Sequence, residues 1–121
     1  RLPVMLHGEP RYYTEQSLAE MDVHVPLELF APGTGPGDLQ VEISEQALLV
    51  RARGSLKSHL HGRLWEPVLP AECSWAASGS EVSIHLVKAE AGQYPWPHLL
   101  QDVEERTCGQ QVTNNRERLL R

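Results

Sequence analysis

Ser58-His59-Leu60-His61-Gly62-Arg63-Leu64, followed by Cys73-Ser74-Trp75 and by Val82-Ser83-Ile84-His85-Leu86-Val87-Lys88, decides how this chain folds. In the first and last of these segments apolar and polar residues alternate, the two-residue period of a strand with one buried face. Leu60, Gly62 and Leu64 fall on one face, with His59, His61, Arg63 and Trp65 on the other. Val82, Ile84 and Leu86 make the cleanest inward row. Gly62 removes a side chain in mid-strand, which signals a bulge or a close packing neighbour. Trp75 and the later Trp96 are expected in the core, where truncation of either would cost on the order of 3–5 kcal/mol.

Upstream, the same period recurs. Met21, Val23 and Val25 alternate with Asp22 and His24, and Pro26 places that strand at an edge or ends its pairing. Leu39, Val41 and Ile43 alternate with polar neighbours, and a tight turn at Ser44-Glu45 leads into Gln46–Ala52 with Leu48 and Val50 inward, a hairpin by spacing. Tyr12 and Tyr13 indicate a short first strand over Arg11–Gln16. Ala31-Pro32-Gly33-Thr34-Gly35-Pro36-Gly37 reads as a loop. Seven short strands at roughly 8–12-residue intervals predict an all-β, seven-stranded antiparallel sandwich. Residues 1–10 read as an extended leader, 11–100 as the sandwich and 101–121 as a polar tail. A helical turn is expected at Pro95–Leu100, with Trp96 plugging the sandwich, and a short C-terminal helix at Asn114–Leu120.

Composition narrows function by exclusion. With 11 basic against 16 acidic residues the net charge is −5, and no basic run exceeds two residues, so neither nucleic acid nor an anionic membrane is an expected partner. No apolar run approaches the roughly 20 residues that span a bilayer. Cys73 and Cys108 form no CxxC motif, and two free or buried thiols in a reducing compartment, the cytoplasm, are expected. The chain starts with Arg1 rather than methionine, as an excised piece of a longer protein would.

Chemistry-bearing motifs are scarce. His59 and His61 share a strand face, but a zinc site needs three or four ligands, so solvent-facing histidines are the expectation. The chain has no nucleophile elbow, and Gly33–Gly37 lacks the lysine and following helix of a phosphate loop. No enzyme activity, metal or cofactor is expected. Trp65 beside Arg63 has the composition of an interface hot spot, unless Trp65 turns inward after Gly62.

Two blocks carry a family resemblance. Gln16-Ser17-Leu18-Ala19-Glu20-Met21-Asp22-Val23-His24-Val25-Pro26 looks like the opening of NudC-type CS domains, small sandwiches shared by p23-like and NudC-like proteins. Gly62-Arg63-Leu64, Cys73-Ser74-Trp75 and Ile84-His85-Leu86-Val87-Lys88 are similar to the family's Gly-x-Leu, Ser-x-Trp and Ile-x-Leu-x-Lys elements. The chain departs from the pattern at Thr14, where many relatives place tryptophan, and at Ala76-Ala77-Ser78, which replaces a more acidic turn. The resemblance implies a non-catalytic protein-interaction module, a co-chaperone or client adaptor. Its implied partners are Hsp90-type chaperones and clients such as β-propeller proteins. The alternative is an accessory CS domain that serves docking within a larger enzyme or scaffold, without Hsp90 contact. Relatives tend to use the first strand and the lysine-bearing strand for partners, which implies Tyr12, Tyr13 and Lys88 as contacts, with Trp65 and Arg63 as further candidates.

Overall fold

Alternating strands pair because each has one apolar face to bury and a row of backbone groups that need partners. The computed structural model describes residues 1–6, 8–55, 57–90, 92, 95–101 and 106–107. Within them lie nine strands: β1 (Leu2–Leu6), β2 (Glu9–Gln16), β3 (Glu20–Pro26), β4 (Leu39–Ser44), β5 (Ala47–Ala52), β6 (Leu60–Arg63), β7 (Ser74–Ala77), β8 (Glu81–Val87) and β9 (Arg106–Thr107). Two sheets form, one of six strands in the order β7-β8-β3-β2-β1-β9 and one of three in the order β4-β5-β6. Every ladder is antiparallel.

The seven expected strands are β2 to β8. The other two come from the ends: β1 arises within residues 1–10 and β9 within residues 101–121, and they pair with each other through Val4 and Thr107 and through Met5 and Arg106. The Asn114–Leu120 helix lies outside the described residues. Pro26 closes the β3–β8 ladder opposite Glu81. β3 itself is central, so the proline ends pairing and does not mark an edge.

The core lies between the sheets. The large sheet contributes Val4, Tyr12, Met21, Val23, Val25, Val82, Ile84 and Leu86, and the small sheet Leu39, Leu48, Val50 and Leu60, all buried. Leu64, Val68, Trp96, Leu99 and Leu100 close one side. Gly62 is glycine because Leu100 packs over it; a Cβ there would meet Leu100 Cδ1 at 3.2 Å.

Two expectations are corrected. Residues 95–101 form no helical turn. Their backbone instead extends the edge of β6: Leu100 bridges Leu64, Trp65 N–H donates to Leu99 O at 2.9 Å, and Gln101 N–H to Arg63 O at 2.7 Å. Trp75 is 40% exposed and lies outside the core. It pairs with Ile84 and shares its inward parity, but β7 is the outermost strand of a six-stranded sheet faced by only three. No helix among the described residues is long and apolar enough to cross a membrane.

Candidate functional site

The side of the large sheet turned away from the core is polar by strand parity. Tyr13 and Glu15 of β2, the odd positions of β8 and the even positions of β3 face outward, and the register β2–β3–β8 brings Glu15 opposite Asp22, Asp22 opposite His85, and His24 opposite Ser83 and Tyr13. The result is a connected ladder. His24 spans two carboxylates, Nδ1 lying 3.0 Å from Glu81 Oε2 and Nε2 3.1 Å from Glu15 Oε1. Arg1 donates from Nη1 and Nη2 to the two Glu81 oxygens at 3.1 and 3.2 Å, and Ser83 Oγ donates to Glu81 Oε2 at 3.1 Å. His85 Nδ1 lies 2.6 Å from Asp22 Oδ1, with Glu20 Oε2 3.5 Å from its Nε2.

Electrostatics follow from these contacts. The hydrogen bond that His85 donates to Asp22, helped by the charges of Asp22 and Glu20, raises the His85 pKa above its ordinary 6.5. The Arg1 hydrogen bond is the main cause that holds Glu81 below the usual carboxylate range. Four carboxylates, Glu15, Glu20, Asp22 and Glu81, share the face with the Arg1 guanidinium, so it is acidic when the histidines are neutral. Tyr13 sits half-buried at its β2 side, paired with Pro3 and His24. Such a face suits a basic protein surface, with a tyrosine of the kind enriched at interfaces.

The residues singled out in the sequence are not brought together. Tyr12 is a core side chain at 1% exposure, so it contributes packing and presents no contact surface. Lys88 is 4% exposed, which corrects the expectation of an exposed strand-end cation. Its Nζ donates to Gln16 Oε1 at 2.9 Å and to Ser17 O at 2.8 Å, and it lies 5.2 Å from the Trp96 ring. Burial lowers its pKa. Gln16 completes the assembly by accepting from Trp96 N–H and donating to Trp96 O, both at 2.8 Å. Arg63 is exposed and donates to Gln46 Oε1 at 3.3 Å. Trp65 is half-buried against the core, its ring 5.8 Å from that of His98.

His59 and His61 also part company. His61 is exposed, whereas His59 is half-buried and donates from Nε2 to Arg11 O at 2.8 Å. Among the described residues no three His, Cys, Asp or Glu side chains are grouped to hold a metal ion. Cys73 is a free thiol, its Sγ donating to Leu69 O at 3.2 Å, and Cys108 lies outside the described residues.

Sequence reading missed the acidic ladder as a unit. Its members were visible as the polar half of each alternation, but Asp22 and His85 stand 63 positions apart, and only the β3–β8 register joins them.

Comparison with known proteins agrees with this architecture. The CS-domain family model matches residues 10–88, and the chain belongs to the CS-domain family, protein-interaction modules of the p23 and NudC type. Among solved structures, the nuclear movement protein of E. cuniculi superposes with a TM-score of 0.58 at 18% identity, over 75% of this chain and 99% of that one. The CS domain of the human KIAA1068 protein superposes with a TM-score of 0.62 at 19% identity, over 84% of this chain and 80% of that one. No curated protein matches the chain by sequence.

Proposed function

We propose that this domain is a chaperone-linked docking module of the cytoplasm that holds a protein partner on the outer face of β2, β3 and β8. The partner is an Hsp90-type chaperone or, through it, a client such as a β-propeller protein. Membership of the CS family supports the class of partner. The acidic ladder of Glu15, Glu20, Asp22 and Glu81 around two histidines carries the choice of face. Affinity is modest, because one small polar face buries limited area and its rim charges act mainly on association rate.

Calorimetric titration of a purified Hsp90-type chaperone with the 121-residue chain tests the proposal. Glu15 and Glu20 have side chains about half exposed, at 52% and 51%, so their reversal to lysine leaves the fold standing. The double variant should bind roughly tenfold more weakly, and raised salt should weaken the parent chain in the same direction. Absence of chaperone binding by the parent chain sinks the partner; equal binding by parent and variant sinks the face.

A further inference from the structure

At the end of the sandwich away from Trp96, a cleft of about 390 Å³ opens between the segment after β3 and the β5–β6 connection. Its walls include Arg11, Phe30, Ser55, Lys57, Ser58 and His59. No carboxylate among the described residues lines it, although the chain carries 16 acidic residues against 11 basic ones. Neither Arg11 nor Lys57 has an ion-pair partner among the described residues. The Arg11 guanidinium commits Nη2 to the carbonyl of His59, while its Nε is buried and has no acceptor. Arg11 is half-buried, so its charge is only partly solvated and has no anion opposite it among the described residues, an arrangement that a bound anion improves.

The remaining groups define what kind of anion fits. With Nη2 committed and Nε buried, Nη1 of Arg11 remains to donate to a phosphate oxygen, and Lys57 adds a mobile point charge at the rim. The Ser58 hydroxyl makes no hydrogen bond among the described residues. The ring of Phe30 lies 4.8 Å from that of His59 and offers an apolar wall beside the charged one. A cleft of this size exceeds a bare phosphate and lies within the range of organic ligand sites. A phosphorylated side chain brings close to two negative charges and three acceptor oxygens on an organic stem.

We infer that this cleft receives a phosphorylated serine or threonine side chain of a protein partner, held by Arg11 and Lys57. The site lies apart from the acidic ladder, so it adds a second, modification-dependent contact to the docking face and stands or fails separately from it.

Two-dimensional amide NMR of the 121-residue chain provides the test, with N-acetyl-O-phosphoserine amide as probe and N-acetylserine amide, sodium sulfate and adenosine monophosphate as controls at matched ionic strength. The phosphoserine probe should produce saturable shifts at Ser55, Ser58 and His59 that the unphosphorylated probe does not. Lys57→Glu, an exposed change, should weaken the probe roughly tenfold while the thermal midpoint stays within a few degrees. Arg11→Lys, which keeps the charge and loses the Nη1 donor and the Nη2 tie to His59, should also weaken it. Equal shifts from sulfate identify a general anion cleft and overturn the proposal, as does tighter binding of the nucleotide or no saturable shift with phosphoserine. Glu15→Lys/Glu20→Lys should leave the probe titration unchanged, which separates this site from the chaperone-binding face.

Discussion

Lys88 shows how one side chain can carry a family's sequence signature and serve the scaffold. Its ammonium is enclosed by Gln16, Ser17 and Trp96, so the lysine ties the end of β8 to the turn before β3. Lys88→Met keeps the stem and removes both hydrogen bonds, which should cost about 1–3 kcal/mol in urea unfolding, chiefly through Ser17 O left without its donor, since Gln16 Oε1 keeps Trp96 N–H. Lys88→Glu should cost more, because it places a carboxylate against two acceptor oxygens. Tryptophan gives a matching contrast. Trp96, 3% exposed, should lose on the order of 3–5 kcal/mol on truncation to alanine, whereas exposed Trp75 should lose under about 1 kcal/mol. Equal losses for the two would show that Trp75 is covered in solution.

At the scale of elements, the existence and parity of β2 to β8 were legible, whereas β1, β9 and the cover over each strand were not. Inward rows such as Val82-Ile84-Leu86 and Met21-Val23-Val25 follow from a period of two, and the structure buries all six. Trp75 has the inward parity too, yet its exposure depends on the width of the opposite sheet, which no local pattern encodes. The Pro95–Leu100 segment carried a helical expectation because its composition is ambiguous; a tertiary bridge from Leu100 to Leu64 settles it as extended. The acidic ladder stayed hidden for the same reason, as it needs a register between distant strands. Gly62 was legible in position, and of its two expected causes, a bulge or a close packing neighbour, the structure shows the neighbour, Leu100. Gly62→Val should destabilise by about 1–3 kcal/mol, since its side chain must displace Leu100 from β6. Thermal unfolding checks the value, and a companion Leu100→Ala change should recover part of the loss.

For the whole molecule, pH acts through the outer face. The His85 pKa is raised above 6.5 in the folded chain, chiefly by Asp22, so the folded state binds that proton more tightly than the unfolded state. This contribution is fully present below about pH 6.5 and is lost as pH rises through the elevated folded value. Asp22→Asn should return the His85 titration, followed by NMR, toward 6.5 and flatten the corresponding fall in thermal midpoint. A His85 pKa that does not move in the variant would show that Asp22 is not its main partner. The half-exposed pair is screened by solvent, so the direction of the slope is the diagnostic quantity.

The strand order also sets a timetable. β3, in the middle of the large sheet, pairs with β8 across about half the length of the chain, Asp22 meeting His85 63 positions away. Closing that distance costs chain entropy before any central contact repays it, which puts refolding in the millisecond-to-second range of sandwiches; stopped-flow tryptophan fluorescence, dominated by burial of Trp96, would measure it. During synthesis the apolar row Met21-Val23-Val25 leaves the ribosome well before Val82-Ile84-Leu86 exists to pair beside it. The central strand of the finished sheet is thus the longest-exposed sticky segment of the nascent one.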